Sequence, residues 1–134
     1  MKFVLLVLVL SVFSYNKGFS QNWSEVIKND TLTITVKEIH HQDVTNGMDH
    51  QRWVFKYENH TPFPIRVVFN RELVYNGKPY LQDETFSVEI PANGVVEYDQ
   101  SHNKDKTYYI FKSDNNNWIK DSLDTFKIIN LNIK

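Results

Sequence analysis

Strict alternation of apolar and polar residues is the clearest pattern in the chain after residue 30. In the stretch 31–39, Leu32, Ile34 and Val36 fall on one face, and threonines and a lysine fall on the other. A period of two residues with many β-branched side chains indicates a strand with one buried face. The same pattern predicts further strands at 52–58, 65–69, 85–90, 95–98, 107–112 and 126–133.

Two of these predicted strands also indicate which of their faces are buried. In 52–58 the alternation turns Trp53, Phe55 and Tyr57 towards the core and Arg52 towards water. The strand at 107–112 is apolar on both faces. We therefore expect it to be covered on both sides, as buried strands are.

Three Asn-Gly pairs predict tight turns, because both residues tolerate positive φ. They are Asn46-Gly47, Asn76-Gly77 and Asn93-Gly94. The second pair would fold the chain back onto 78–81, where Pro79 lacks an N–H group. That arm should be an edge strand or no strand.

No stretch after the first twenty residues sustains an apolar period of 3.6, although 22–27 and 118–123 could each form one helical turn. About seven to eight short strands separated by turn signals predict an all-β fold, an antiparallel β-sandwich. An open-ended barrel is the alternative.

The segment 59–64 separates two predicted core strands and contains Pro62 and Pro64. We interpret it as the hinge of a hairpin or of a crossover between sheets, with Asn59 and His60 exposed. Asn59-His60-Thr61 also fits the glycosylation pattern, as do triplets beginning at Asn22 and Asn29. The Asn-rich and Lys-rich composition is typical of a bacterial protein, in which the pattern would be incidental.

The first twenty residues differ from the rest of the chain. Lys2 precedes an apolar run of the length found in secretory signal peptides, and the run is short for a membrane span. Small residues favour cleavage after Ser20, or alternatively near Ser14. The sequence predicts a signal peptide at 1–20 and a single domain at 21–134, in the periplasm or outside the cell. An uncleaved anchor is the alternative, and only then would a membrane be a partner.

Charge and cysteine content narrow the classes of function. Removal of residues 1–20 takes away Lys2 and Lys17 and no acidic residue, so the net charge goes from −1 to −3. Nothing in this charge favours nucleic acid as a partner. The chain has no cysteine, which excludes disulfides, thiol nucleophiles and thiolate metal sites.

Residues 53–98 resemble a known group of proteins. Tyr57-x-Asn59-x-Thr61, followed by Ile65-x-Val67-x-Phe69 and then Ile90-Pro91-x-x-Gly94, is similar to small exported bacterial proteins with an immunoglobulin-like β-sandwich. The resemblance implies an immunoglobulin-like fold and export. Because such proteins are mostly of unknown function, it implies no site residues.

The richest polar cluster lies between the first two predicted strands, in the segment 40–50, which we expect to be a loop. If this loop folds back on itself, His41, Asp43 and His50 could converge on zinc, copper or nickel. The other interpretation is a solvated loop, because no established metal-ligand spacing is present. No cofactor is predicted.

Three aromatic residues are candidates for contact with a ligand or partner. Tyr75 and Tyr80 flank a predicted turn, and Trp118 sits among polar neighbours. Exposed rings can stack on sugars or anchor a protein. Alternatively, these rings cover the ends of the core.

These patterns leave three hypotheses of function. The first is an exported, non-catalytic binding or assembly module for an unknown protein or glycan, acting through an edge strand or through the loops at one end of the sandwich. The second is a metal-handling protein of the cell envelope that uses the 40–50 segment. The third is a carboxylate-based hydrolase, which would need two acidic side chains in one cleft.

Overall fold

The computed structural model describes residues 23–81, 84–116 and 118–134, with the backbone alone at Leu81. The predicted signal peptide lies outside these residues. The described part contains nine strands: β1 Ser24–Lys28, β2 Leu32–Asp43, β3 Met48–Asn59, β4 Ile65–Tyr75, β5 Lys78–Leu81, β6 Phe86–Ile90, β7 Val95–Glu97, β8 Tyr109–Asp114 and β9 Leu123–Ile133. A single 3₁₀ turn spans Gln100–His102. No helix in these ranges is long and apolar enough to cross a membrane.

The nine strands form two antiparallel sheets, which confirms the all-β prediction. In the first sheet β3 is central: β2 pairs with its whole length, and β7 and β8 share its other edge. β1 pairs with the outer edge of β2. In the second sheet β4 is central, with β9 on one edge and with β5 and β6 sharing the other.

The two sheets meet in one apolar core, so the fold is an antiparallel β-sandwich. Leu32, Ile34 and Val36 contribute from the first sheet, and Val67 and Phe69 contribute from the second. Each lies at an alternate position of its strand, as the period of two predicts. Full burial of such a side chain contributes about 1.5–3 kcal/mol each.

Several turns form as predicted. Asn76 and Gly77 have φ values of 50° and 77° and connect β4 to β5. β5 contains Pro79 and pairs only with β4 among the described strands, so it is an edge strand. Asn93, with φ of 51°, lies in the turn that carries the chain from β6 in one sheet to β7 in the other.

The segment between β3 and β4 is a crossover between the sheets, one of the two predicted alternatives. The prediction that Asn59 is exposed is wrong, because its exposed fraction is 3%. Its Nδ2 donates to the carbonyls of Phe63 and Pro91, at 2.7 and 3.0 Å, and its Oδ1 accepts from the N–H and hydroxyl of Thr61. His60 is exposed as expected.

Three further expectations need correction. Residues 24–27 belong to strand β1, and residues 118–122 are irregular, so neither predicted helical turn forms. Arg52 is buried, with an exposed fraction of 3%. The segment 40–50 is a β-hairpin whose connecting loop is only residues 44–47.

Candidate ligand-binding site on the outer face of the first sheet

The hairpin of β2 and β3 sets the positions of the histidines. The two strands stay in register as far as the Asp43–Met48 pair, so His41 lies directly opposite His50. The ring centroids of these histidines are 5.0 Å apart. Two of the three predicted metal ligands are therefore neighbours, because of strand pairing rather than loop closure.

The third predicted ligand, Asp43, has another role. Its carboxylate accepts hydrogen bonds from the side-chain amide of Asn46 at 2.7 Å and from its backbone N–H at 3.3 Å. The side-chain bond from Asn46 is the main reason that the pKa of Asp43 lies below its usual range. Among the described residues, no group of three or more His, Asp or Glu side chains could hold a metal ion.

Alternation along β3 places His50, Arg52 and Val54 on the face that points away from the core, since Phe55 and Tyr57 point into it. Tyr109 and Phe111 of β8 pair with Val54 and Arg52 and share this outer face. The exposed fractions of His50, Arg52 and Val54 are nevertheless 8%, 3% and 0%. The outer face of β3 is thus covered at these positions. In β8, Ile110 is buried but Tyr109 and Phe111 are half-buried, so the predicted cover on both faces of 107–112 is only partial.

Arg52 is held there by neutral partners. Its Nε and Nη2 donate to Nε2 of His50 at 3.2 and 2.7 Å, and its Nη1 donates to the carbonyl of Asn103 at 2.9 Å. The guanidinium also lies 3.9 Å from the ring centroid of Tyr109. No carboxylate of a described residue lies within 4.0 Å of it.

Burial and the contact with Arg52 together determine the charge of His50. Burial of the imidazole and the nearby positive charge of Arg52 lower the pKa of His50 to about 4. At neutral pH its Nε2 is an unprotonated acceptor, as the bonds from Arg52 require. A guanidinium bound at this nitrogen opposes a metal cation, so the geometry does not favour the metal hypothesis.

The loop after β8 covers one side of this region. Asp114 accepts hydrogen bonds from the backbone N–H groups of Ile119, Asn116 and Trp118, which also hold its pKa below the usual range. A Cβ atom added to Gly47 would lie 3.4 Å from Cη2 of Trp118, so the indole lies against the hairpin turn. Trp118 itself is 75% exposed.

Two asparagines bind this loop to the hairpin. Asn115 donates from its backbone to the carbonyl of Asp49 and from its side chain to the Asp49 carboxylate, both at 2.8 Å. Asn116 donates from its side chain to the carbonyl of Gly47 at 3.0 Å. Hairpin and loop are thereby joined at three points around the turn.

Together these elements line a half-open cavity of about 370 Å³, which we call the outer-face pocket. Its lining residues combine one cation, one neutral imidazole, two carboxylates and several apolar side chains: Arg52, His50, Asp49, Asp114, Tyr109, Phe111, Met48, Trp118 and Ile119, with Asn46 and Gly47 at the turn. The buried Arg52 and His50 form its floor, and the exposed Trp118 and Met48 lie at its mouth.

The two tyrosine candidates lie elsewhere. Tyr75 and Tyr80 line a smaller cavity of about 220 Å³ together with the core-facing Arg71. The hydroxyl of Tyr75 donates to the carbonyl of Phe111 at 2.8 Å, and burial raises the pKa of Tyr75 to about 12. Tyr80 is 57% exposed on the edge strand β5. Only Trp118 of the three predicted aromatic contacts belongs to the outer-face pocket.

Asp49 and Asp114 bring two carboxylates into one pocket, as the hydrolase hypothesis requires. Hydrogen bonds from Asn115 and His40 lower the pKa of Asp49, and backbone N–H groups lower the pKa of Asp114. A general acid for glycoside hydrolysis needs a raised pKa. Since both carboxyl groups stay ionised and hold the loop in place, the arrangement is suited to binding rather than to proton transfer.

Comparison of the chain with protein-family models, with curated proteins and with solved structures finds no match. The functional interpretation therefore depends on the geometry of the site.

Proposed function

We propose that this protein is an exported, non-catalytic binding module that holds a small organic ligand in the outer-face pocket. The observation that carries the proposal is this pocket, with a buried guanidinium on its floor and aromatic and apolar side chains around it. Small-molecule sites typically combine an apolar lining with a few placed polar groups in a cavity of about 300–1,000 Å³. Of the two surfaces that the sequence leaves open for binding, the loops at one end of the sandwich fit this description.

Export is the second part of the proposal. It is supported by the positive start and apolar run of residues 1–20 and by the resemblance of residues 53–98 to exported immunoglobulin-like proteins. Expression of the full chain in a bacterial host, followed by mass spectrometry of the periplasmic and secreted fractions, tests this part. We expect a chain beginning at Gln21, and an intact Met1 terminus in the membrane fraction would contradict it.

Binding is tested with a fragment library observed by ligand NMR, using neutral, anionic and cationic ring compounds. We expect binding to the exported protein that weakens about tenfold or more in Trp118→Ala, because the exposed indole is lost from the mouth of the pocket. The matched control is Tyr80→Ala, which removes an exposed ring outside the pocket. Absence of any hit, or equal loss of binding in both variants, would contradict the proposal.

A further inference from the structure

We infer that the outer-face pocket selects ligands with a single carboxylate, which Arg52 holds on the floor beside a ring that lies against Trp118. This inference rests on the proposed function and adds the chemical class of the ligand. Three features of the pocket carry it: the state of Arg52, the charges around it, and the aromatic side chain at the mouth.

Arg52 is a buried cation, and its hydrogen-bond partners offset only part of the free-energy cost of removing the guanidinium from water. Its hydrogen bonds to His50 and Asn103 use three of the five guanidinium N–H groups, and one N–H on each terminal nitrogen remains without a described partner. Removing a charge from water costs several kcal/mol unless an opposite charge or strong hydrogen bonds replace the solvent. Arg52 lines the cavity, where a ligand carboxylate would supply both.

The other charged groups limit the ligand to one negative charge. Arg52 is the only Lys or Arg among the described residues that line the pocket. His50 adds no positive charge at neutral pH, since its Nε2 accepts from Arg52. Asp49 and Asp114 line the same cavity and are ionised at neutral pH. Asp49 and Asp114 also repel a carboxylate, but its single charge can pair directly with Arg52. The second charge of a dianion such as a phosphate monoester would meet this repulsion with no second cation in the lining to pair with.

The mouth of the pocket is suited to a ring. Trp118 is 75% exposed and has Met48 and Ile119 as apolar neighbours in the lining. An indole with a free face can stack on an aromatic ring or on the apolar face of a sugar. The volume of about 370 Å³ lies at the low end of the range for small-molecule sites, which fits one ring with one short acidic arm.

Isothermal titration of the exported protein with matched probe pairs tests this inference. The pairs are phenylacetate with phenylacetamide and galacturonate with galactose, so that each acid has a neutral counterpart. We expect at least one acid to bind about tenfold or more tightly than its neutral partner, as a charge-assisted hydrogen-bonded contact provides. We also expect phenyl phosphate to bind about tenfold more weakly than phenylacetate.

The two pairs distinguish the sources of the carboxylate. Preference for phenylacetate alone indicates an aromatic acid, and preference for galacturonate indicates an acidic sugar, and either result supports the inference. Equal affinity for acid and neutral partner overturns the inference but leaves the proposed function intact if binding still depends on Trp118. Failure of every probe together with an empty fragment screen overturns both.

Arg52→Gln should remove the preference for the acid while leaving weak binding of the neutral partner. Its control is Arg66→Gln, which removes an exposed positive charge that pairs with Glu89 outside the pocket. Because a buried arginine can be needed for folding, urea unfolding of both variants accompanies the titrations. If Arg52→Gln does not fold, the acid–amide and acid–phosphate ratios of the unaltered protein still decide the inference.

Discussion

The guanidinium of Arg52 donates two hydrogen bonds to one nitrogen of His50, the Nε2 atom. Burial and this contact keep the imidazole neutral. The ring also packs against His41 and Phe111. A row of rings therefore crosses the outer face of the first sheet, from His41 on β2 to Phe111 on β8, beside the buried Arg52. Protonation of His50 would place two positive charges in contact.

This arrangement predicts that stability falls as the solution becomes acidic. The pKa of His50 is about 4 in the folded protein and 6.5 in the unfolded chain. Between these values the unfolded state binds more protons, so the free energy of unfolding rises with pH. We expect a loss of roughly 2–3 kcal/mol as pH falls from 6.5 to 4, measured by urea unfolding at several pH values.

A variant separates His50 from the other titrating groups. His50→Gln keeps an acceptor for Arg52 and removes the proton-binding nitrogen, so its stability should change less over this interval. A smaller slope should remain, because burial and Arg52 also lower the pKa of His41. An unchanged slope in His50→Gln would contradict the assignment.

The core strands were predictable because local pattern and tertiary environment agree in them. Alternation identified Leu32, Ile34 and Val36, and the Asn76-Gly77 pair identified a hairpin whose second arm is the edge strand. Arg71 shows the limit of this reasoning. Arg71 is two residues after Phe69 and so lies on the same face of β4, and its exposed fraction is 1%. Burial of such a residue is hard to predict from sequence, because arginine is rarely buried.

The site was less predictable because it depends on contacts between distant segments. Asn103 bonds to Arg52 across 51 residues, and Asn116 bonds to Gly47 across 69 residues. Contacts between segments so far apart leave no local pattern in the sequence. The alternation in 52–58 alone therefore predicts that Arg52 faces water, which is wrong. The one sequence signal for the covered outer face was the apolar character of both faces of 107–112.

Asn59 makes a separate contribution, to the crossover between the sheets. Replacing Asn59 by Ala leaves the carbonyls of Phe63 and Pro91 without this donor. These carbonyls keep donors in Thr61 and Gly94, but the backbone N–H of Thr61 loses its acceptor. We therefore expect a total loss of about 1–3 kcal/mol in chemical unfolding. The crossover lies nine residues from His50 along β3, about 30 Å at about 3.4 Å per residue.

Because of this distance, ligand affinity in Asn59→Ala should equal that of the unaltered protein wherever the variant is folded. Asn132→Ala, an exposed position on β9, serves as the control and should change the unfolding free energy by less than about 0.5 kcal/mol. Loss of binding in a folded Asn59→Ala protein would place the crossover in the site. The low exposure of Asn59 also predicts that it carries no glycan in the folded protein, which mass spectrometry of the purified protein checks.

A metal titration tests the hairpin histidines. We expect saturating zinc or copper to leave the melting temperature of the protein unchanged, because Nε2 of His50 accepts from Arg52 and the carboxylate of Asp43 accepts from Asn46. A metal that binds the folded state but not the unfolded state would raise the melting temperature. A rise of several degrees that disappears in His41→Ala, but not in His60→Ala outside the hairpin, would restore the metal hypothesis.

Gly47 and Gly77 form a matched pair that tests the role of the hairpin turn in the pocket. Both have positive φ, 66° and 77°, so alanine at either position should cost about 1–2 kcal/mol of stability. A Cβ at Gly47 would contact the indole of Trp118 at 3.4 Å, whereas a Cβ at Gly77 would have no atom within 4 Å.

Alanine at position 47 would also strain the backbone whose carbonyl accepts a hydrogen bond from Asn116. We therefore expect Gly47→Ala to shift the tryptophan fluorescence and to weaken ligand binding about threefold to tenfold, while Gly77→Ala is destabilised to a similar degree and binds normally. Equal binding by the two variants would mean that Trp118 is held by its own loop, through Asp114, and that the hairpin turn contributes only stability.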